Sequence, residues 1–390
     1  MIYLDNAATT PLDPRVLEAM LPWLGEQWGN PSSLHAAGRR ARAAVEDVRE
    51  RVAAFIGARP GEIVFTSGGS ESDSLCLLGT AAARAGRGRH VLTTPIEHHA
   101  VLHCAERLAH DGFEIEYLPV DSEGFVSPGE LALRLRADTL LVSVMAANNE
   151  VGTIQPMADI GAVCAARGVP LHVDAVQSLG ELPMDVRAAH ISLLAGSAHK
   201  FHGPKGVGFA YVRTGLRPTP QILGGSQERG RRAGTENVAG IVGLGAAVAL
   251  LETERDQRAA HCRRLRERLT DGLLAIDGCW LNGPRGDRRL ANNVNVSFDL
   301  VSGENLLVLL DGEGICVSTG SACSSGATDP SHVLLALGGP VDRAHGSLRL
   351  TLGRDNTEAE IDTVIAALGR AVDQLRALAP KARDRVGKAT

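Results

Sequence analysis

The sequence predicts an α/β fold, with a large domain built on a mostly parallel central sheet flanked by helices and a smaller α+β domain. Two observations favour this class. Short apolar segments such as EIVFTS, HVLTT, TLLVSVMAA and PLHVDAV alternate with helical segments, which is typical of a parallel sheet covered on both faces. Later in the chain the pattern changes to NNVNVSF, ICVSTGSA and SLRLTL, separated by short helical segments, which suits a second, smaller unit.

The helices are predicted from the spacing of apolar residues and from their end signals. Segments 13–24 and 34–56 carry apolar residues at helical spacing, and the second stops at Gly57. Further helices are expected after EIVFTS and HVLTT, near 157–167 and throughout 236–275. A last helix begins at Thr357, where Glu360 completes a capping box. We expect a large domain over 14–255, a small domain formed by 1–13 with 256–380, and a frayed tail at 381–390.

Composition and charge exclude several classes of protein. The 390 residues are 44% hydrophobic and 22% charged, with a net charge of -5 and 3% aromatics, so we expect no direct nucleic-acid partner. No run approaches the roughly 20 apolar residues of a membrane span, and the N-terminus lacks a secretory signal pattern, so we expect a cytoplasmic protein. The seven cysteines form no CxxC pair, which argues against a disulfide framework and against a metal site.

A glycine-rich turn, TSGGSES, stands between a strand and a helix. Gly69 lets the backbone approach a ligand closely, Ser70 offers a hydroxyl, and the helix start presents free N–H groups to an anion such as phosphate. No GK[ST] follows, so this is not a Walker A motif. Taken alone, the turn is equally compatible with a simple helix start.

A carboxylate and a lysine end two consecutive strands. Asp174 ends PLHVDAV, Gln177 follows three residues later, and Lys200 comes after the next strand, ISLLA. Ligands gather at the carboxyl ends of strands in open α/β sheets. The pair suits pyridoxal phosphate, because the amine forms a Schiff base and the carboxylate keeps the pyridine nitrogen protonated. Ser197 and His199 flank the lysine and could donate to the phosphate. Without context, Asp174 could instead cap a helix and Lys200 could be a solvated loop charge.

Two further polar residues follow strands of the same predicted sheet. His98 in TTPIEHHA could stack on the ring, and the amide of Asn149 in AANNEVG could reach a phenolic oxygen. Either residue alone would usually be a turn residue. Four polar groups at four strand ends favour one shared ligand site.

At this point the sequence resembles the cysteine desulfurase family, in the class-V aminotransferase group of fold-type I pyridoxal-phosphate enzymes. The resemblance rests on YLDNAATTPLDP, GNPSSLHAAG, TSGGSESDSL, EHHAVL, NNEVGTIQP, HVDAVQSLG, SAHKFHGPKGVG, RRAGTEN, STGSACSSGATDPSHVL and SLRLTLGRDNTEAEID. These stretches follow one another in the order of the family and cover nearly the whole chain. The departures are small: Ser70 stands where a threonine is usual, ESDSL replaces the commoner ESNNL, and GGSQERG has a serine where a third glycine is frequent.

The resemblance implies a role for each matching residue. Lys200 would carry the Schiff base, Asp174 would face the pyridine nitrogen and His98 would stack on the ring. Gln177 and Asn149 would lie near the phenolic oxygen.

The remaining matches concern the phosphate, the substrate and the nucleophile. Thr235 in RRAGTEN would reach the phosphate of the partner subunit, which implies a homodimer, and Arg349 in SLRLTL would grip the substrate carboxylate. Cys323 would be the catalytic cysteine. The phosphate itself would be held by Gly69, Ser70, Ser197 and His199.

The setting of Cys323 differs from that of the other cysteines. It lies in SACSSGA, a run of small residues that predicts a mobile, accessible loop before a helix near Ser331, and an accessible thiolate is the reactive form. The other six lie in apolar or helical settings, where free cysteine is usually a small buried hydrophobe.

The resemblance implies conversion of L-cysteine to L-alanine. The sulfur would move to a persulfide on Cys323 and then to an acceptor protein, which could be an iron–sulfur scaffold or a tRNA- or DNA-thio-modification protein. Lys200 is the expected base, and His98 is a further candidate for moving protons. A selenocysteine lyase and a class-V aminotransferase, which would not need Cys323, remain the alternatives.

Overall fold

The computed structural model describes residues 1–320 and 330–378, and its centre is a seven-stranded sheet. Of its seven strands, Gly208–Val212 alone runs antiparallel to its neighbours. In spatial order the strands are β2 (Ile63–Thr66), β8 (Gly208–Val212), β7 (Leu193–Ser197), β6 (Leu171–Asp174), β5 (Thr139–Ser143), β3 (His90–Thr93) and β4 (Glu114–Tyr117). The predicted mostly parallel sheet is confirmed.

Helices account for most of the remaining large unit. Those predicted near the N-terminus and at 157–167 and 236–275 are present, within about two residues at each end. The helices are α1 (Pro14–Leu24), α2 (Ala36–Phe55), α3 (Gly69–Arg84), α4 (His99–His110), α5 (Pro128–Arg134), α6 (Met157–Ala166) and α7 (Val238–Leu274). The short α5 and the edge strand β4 were not predicted; β4 is half exposed and carries charges, so it lacks the apolar signal of its neighbours.

The later part of the chain forms two small sheets and four further helices among the described residues. Strand β10 (Asn293–Phe298) lies between β12 (Ser347–Thr351) and β9 (Cys279–Leu281), antiparallel to both, while β1 (Ile2–Tyr3) pairs in parallel with β11 (Ile315–Cys316). The helices are α8 (Gly303–Gly312), α9 (His332–Ala336), α10 (Val341–His345) and α11 (Glu358–Leu378).

Helix α11 begins with the predicted capping box. The backbone N–H of Glu360 donates to Oγ1 of Thr357, and the backbone N–H of Thr357 donates to the Glu360 carboxylate. Two unpaired donors at the helix start are therefore satisfied reciprocally.

Helix α7 belongs to two of the apolar cores that the described residues form. Its first half contributes Leu244 and Val248 to the core beneath the seven-stranded sheet. Its second half contributes Leu265 and Leu269 to a second core with α8, α11 and β10. The domain boundary predicted at 255–256 falls inside this helix, between the two contact regions.

The N-terminal segment links the two units. Asp5 forms a bridge with Thr351 on β12, while the backbone N–H of Thr10 donates to the carbonyl of His199 at 2.9 Å. The segment between these contacts therefore runs from the small unit to the end of β7.

Within the described residues, no helix combines the length and the apolar character that crossing a bilayer requires. The polar tail predicted at 381–390 lies outside the described residues.

Candidate active site

Four predicted site residues follow four consecutive strands of the central sheet. Lys200 follows β7, Asp174 ends β6, Asn149 follows β5 and His98 follows β3, and these strands are neighbours in the order β7-β6-β5-β3. Because the four strands are parallel, their carboxyl ends meet at one edge of the sheet. The sheet order therefore brings together residues that the sequence spaces widely apart.

These residues line one cavity of about 200 Å³. Apart from Thr235, every residue predicted to hold the cofactor borders it, and so do three residues that were not predicted. The lining residues are Gly69, Ser70, Asp73, His98, Met145, Asn149, Asp174, Val176, Gln177, Ser197, His199 and Lys200.

The start of α3 forms one wall of the cavity. Gly68 is the N-cap and provides no side-chain hydrogen bond, so donors of the first turn stay available to an anion. A Cβ on Gly69 would lie 2.7 Å from Cγ2 of Val176 and 3.8 Å from Cβ of Ser197. A side chain at Gly69 would therefore fill the narrow space between α3 and the ends of β6 and β7.

The amine of Lys200 is held at the cavity by the N-terminal segment. Its Nζ donates to the carbonyl oxygens of Ala7 at 2.5 Å and Ala8 at 2.9 Å. Nε2 of Gln177 donates to the same Ala7 carbonyl at 2.9 Å. Nδ1 of His199 lies 3.1 Å from Oγ1 of Thr9. Residues 7–9 thus position three predicted site residues.

Asp174 is buried at the end of β6 and borders the cavity. Its Oδ1 accepts the backbone N–H of Val176 at 2.9 Å. Burial raises the pKa of Asp174 to about 6, while the Val176 hydrogen bond and the positive charge of Lys200 lower it. A cationic group in the cavity would favour the ionised carboxylate further.

His98 caps α4 with its imidazole. Nδ1 accepts the backbone N–H of Ala100 at 3.1 Å, so the proton of the neutral ring is on Nε2. Burial, followed by the nearby charges of Lys200 and other cationic groups, lowers the pKa of His98 to about 4. The ring is therefore neutral near pH 7 and presents a donor rather than a base.

Arg349 on β12 is buried close to the same edge. One guanidinium nitrogen donates to Oδ1 of Asp5 at 2.9 Å, and another donates to the carbonyl of Asn149 at 3.2 Å. The third nitrogen, Nε, is buried and has no hydrogen-bond partner among the described residues. The guanidinium is therefore held at this edge by the Asp5 carboxylate and the Asn149 carbonyl.

The comparisons with known proteins agree with this geometry. Residues 2–364 match the family model of the class-V aminotransferases. A cysteine desulfurase IscS from Methanosarcina thermophila is 49% identical over 379 residues, which is 97% of this chain and 94% of that protein. The chain belongs to the cysteine desulfurases of the class-V aminotransferase family.

Solved structures of this family have the same fold. A NifS-like protein superposes with a TM-score of 0.90 at 42% identity and covers 96% of this chain and 99% of its own. SspA, solved in complex with cysteine, superposes with a TM-score of 0.81 at 35% identity, over 92% of this chain and 100% of its own. The fold expected from the resemblance is therefore confirmed.

The desulfurase motif that contains Thr235 lies outside the cavity. Thr235 is exposed, and the segment before it is anchored by Glu228, whose carboxylate forms a buried two-point ion pair with Arg49 at 2.7 and 2.8 Å. The backbone N–H of Phe65 donates to the same carboxylate at 3.0 Å. This chain thus presents Thr235 outward rather than to its own site.

The predicted nucleophile of the desulfurase, Cys323, lies outside the described residues, as does the loop predicted around it. Glu150 lies beside both flanks of that segment. Oγ of Ser331 donates to its carboxylate at 2.5 Å, and any side chain at Gly320 would meet the same carboxylate, since a Cβ there would lie 2.8 Å from Oε2. Of the other cysteines, Cys76, Cys104, Cys164 and Cys262 are buried, whereas Cys279 and Cys316 are half-buried. Burial raises the pKa of Cys164 to about 12, which makes it a poor nucleophile.

Sequence reasoning missed Asp73, Met145 and Val176 in this desulfurase site. Asp73 lies on the second turn of a helix whose start was recognised, and one helical turn after Gly69 it falls on the same face. That spacing could have identified it. The Asp5–Arg349 pair joins residues near the two ends of the chain and had no local signal.

Proposed function

We propose that this protein is a pyridoxal-phosphate-dependent cysteine desulfurase, which converts L-cysteine to L-alanine and transfers the sulfur to Cys323 and then to an acceptor protein. The observation that carries the proposal is the position of Lys200 and Asp174 at adjacent strand ends in one cavity. The relatives named cysteine desulfurase and the neighbour solved with cysteine support the substrate.

The residues that line the cavity fit pyridoxal phosphate in their chemistry. The uncapped start of α3, with Ser197 and His199 opposite, provides donors for a phosphate. Asp174 provides a buried carboxylate for the ring nitrogen, and Lys200 provides the amine for the carbonyl carbon. When bound, the cofactor would draw electrons from the Cα of the substrate.

The remaining polar groups fit the faces and edges of the ring. His98 would stack on it as a neutral imidazole. Asn149 and Gln177 would approach the phenolic oxygen; because the Gln177 amide has two N–H groups, its bond to Ala7 leaves a second donor.

Lys200 would also move the proton of the substrate. The Ala7 and Ala8 carbonyls lie within hydrogen-bond distance of its Nζ, so these carbonyls would hold the free amine beside the cavity. From there it would take the proton from the substrate Cα. His98 is a weaker candidate for this step because its Nδ1 is engaged by the backbone of α4.

Arg349 would bind the substrate carboxylate, and Cys323 would attack the substrate sulfur. The Cys323 thiolate would form the new S–S bond, and the electrons of the broken C–S bond would remain with the carbon that becomes alanine. Removal of the persulfide sulfur by an acceptor thiol would restore the enzyme.

A homodimer is part of the proposal. Thr235 is exposed in the chain that carries it, so it is available to a partner's phosphate site. Leu223, in the same connection between β8 and α7, is 82% exposed, as are Trp28 at 79% and Leu34 at 89%. Exposed large apolar side chains support an interface between subunits.

The proposal also covers the cellular location of the protein and the protein that accepts its sulfur. The unpaired state of the cysteines among the described residues supports a cytoplasmic location. We propose an iron–sulfur scaffold or a tRNA- or DNA-thio-modification protein as the acceptor, and trapping the protein that contacts persulfide-bearing Cys323 would identify it.

The decisive experiment follows the sulfur atom. The purified protein is incubated with L-cysteine, and mass spectrometry is used to measure the peptide that contains Cys323. We expect a gain of one sulfur atom that C323S loses and the control C316S keeps. A wild-type rate of L-cysteine turnover in C323S would contradict the persulfide route, and turnover without alanine would favour a class-V aminotransferase.

A second experiment examines the lysine. K200A is expected to lose the visible absorption band of the lysine-bound cofactor. A control such as K205A, at an exposed lysine of the GPKG turn, is expected to keep it. Comparing rates with L-cysteine and L-selenocysteine separates the desulfurase from a selenocysteine lyase.

A further inference from the structure

A buried row of polar side chains lies beneath the cavity, between α3 and the sheet. Ser143 on β5 and His172 on β6 are paired across the two strands, and Oγ of Ser143 lies 2.9 Å from Nδ1 of His172. On the other side of the imidazole, Nε2 lies 3.3 Å from Oδ1 of Asp73 on α3. All three side chains are at most 1% exposed. The row reaches the ligand site because Asp73 also lines the cavity.

The hydrogen bonds of the row are complete only if one proton lies between Asp73 and His172. Oδ1 of Asp73 and Nε2 of His172 have no other hydrogen-bond partner among the described residues, and a buried polar atom without a partner is costly. Two arrangements satisfy both atoms. Either Nε2–H donates to an ionised Asp73, or a protonated Asp73 donates to Nε2 while Nδ1–H donates to Ser143.

The charges around the row select the second arrangement. His172 and Asp174 alternate along β6 and therefore lie on the same face of the sheet, and Glu97 precedes α4. Burial, and then the negative charge of Asp174, raises the pKa of Asp73 well above its ordinary value. Burial also raises the pKa of Glu97 to about 8, so Glu97 is mostly protonated near pH 7. Burial lowers the pKa of His172 to about 3, so an imidazolium does not compensate an Asp73 carboxylate.

The other titratable groups near Asp73 do not change this balance. Cys76 on the same helix and Cys104 on α4 are thiols, and burial raises the pKa of both. Lys200 is the cation that acts on Asp174, whose pKa it lowers. Its charge therefore favours ionisation of Asp174 over ionisation of Asp73.

We propose that Asp73 keeps its proton in the folded protein, both before and after the cofactor binds, and donates it to Nε2 of His172, so that Asp174 faces the ring nitrogen without a second buried carboxylate charge beside it. The proposal rests on the proposed function. Asp73 is a positioning residue: it acts on the electron-withdrawing ring through the charge state of Asp174. An unprotonated Asp73 would place two negative charges in one buried site.

The first test uses D73N, whose amide N–H reproduces the donor without a titratable group, and D73L, which has no donor. The readout is the pH midpoint of the visible band of the loaded protein. D73N is expected to keep the pH midpoint of the visible band of the wild type. D73L leaves Nε2 of His172 without a hydrogen-bond partner, and we expect it to release the cofactor faster than the wild type. If D73N moved the midpoint by about one pH unit or more, Asp73 would be ionised in the wild type and the proposal would be overturned.

The second test uses the cofactor-free protein and distinguishes failure of this proposal from failure of the proposed function. Because the folded chain holds a proton that the unfolded chain releases above about pH 4, Asp73 reduces stability increasingly as the pH rises. D73N is therefore expected to gain stability over the wild type between about pH 5 and 8 in urea titrations. A difference that stays constant with pH would contradict the proposal.

Infrared spectroscopy provides a direct signature in the same samples. At neutral pH the wild type minus D73N difference spectrum should contain the carbonyl stretch of a protonated carboxyl group. The matched control is E97Q, because burial raises the pKa of Glu97 to about 8; its difference spectrum isolates the Glu97 band and leaves that of Asp73. Absence of the Asp73 band would overturn the proposal even if sulfur transfer to Cys323 were demonstrated.

Discussion

Nδ1 of His98 accepts the backbone N–H of Ala100 at 3.1 Å, so one side chain both caps α4 and borders the cavity. This bond fixes the tautomer of the ring. Protonating Nδ1 would break the cap, which adds to the effect of burial on the pKa, about 4, of His98.

The first prediction concerns the charge of His98. We expect its ring to remain neutral, with the proton on Nε2, between about pH 5.5 and 8, where an unperturbed histidine titrates. Nitrogen chemical shifts of labelled histidine measure this state. A titration midpoint near the ordinary value would contradict it. H98A is expected to lose about 1 kcal/mol of stability with the cap, whereas H98N retains an acceptor there.

The second prediction concerns substrate binding by Arg349. R349A is expected to raise KM for L-cysteine roughly 10- to 100-fold, because it removes charge-assisted hydrogen bonds worth about 1.5–3 kcal/mol. The visible band of the bound cofactor should remain. The control is R370A, since Arg370 is exposed and pairs with Glu313 on the surface. An unchanged KM in R349A would remove Arg349 from the substrate site.

The third prediction concerns the buried pair of Glu228 and Arg49. E228Q is expected to lower the free energy of unfolding by about 2–4 kcal/mol, because Arg49 would keep a buried charge with only the half-buried Glu46 as its partner. Urea titration measures the change. The control D111N breaks the exposed pair with Arg107 and should leave the free energy of unfolding nearly unaltered. Equal effects of the two variants would contradict the prediction.

The fourth prediction concerns acid stability. Burial lowers the pKa of His202 to about 4, although its Nδ1 donates to the carbonyl of Pro11 at 3.0 Å. Near pH 6.5 the His202 side chain takes up a proton in the unfolded chain but not in the folded chain. Its contribution to stability is therefore present above that pH and is lost as the pH falls toward 4.

H202N tests this dependence because asparagine tolerates the positive φ of 66° at this position. Relative to H202N, the wild type is expected to lose about 1–3 kcal/mol between pH 6.5 and 4. The exposed His110 supplies the control variant H110N. A pH-independent difference between H202N and the wild type would show that His202 does not titrate in this way.

Much of the site could be predicted because its signals are local. Lys200, Asp174, Asn149 and His98 each follow an apolar strand, and the carboxyl ends of parallel strands share an edge. The glycine-rich turn likewise predicted the start of α3. By contrast, β4 was missed because an edge strand that is half exposed needs no apolar run.

Pairings between distant segments could not be predicted in this way. The contact of Asp73 with His172 depends on how α3 packs on the face of β6, and the contact of Asp5 with Arg349 depends on the N-terminal segment crossing between the two units. Neither contact produces a recognisable residue spacing in the sequence. The side chains in each contact belong to elements that are far apart in the chain and pack together only when it folds.

The sequence by itself determined which chemical groups this protein carries and that each stands where a strand ends, since alternation of apolar and polar residues is a property of the local chain. Only the tertiary structure decided the order of the strands, the hydrogen-bonded row of Ser143, His172 and Asp73, and the hydrogen bonds from Lys200 to the N-terminal segment. Those features arise from burial and from the electrostatics of groups that meet across the fold, and no short stretch of residues contains them.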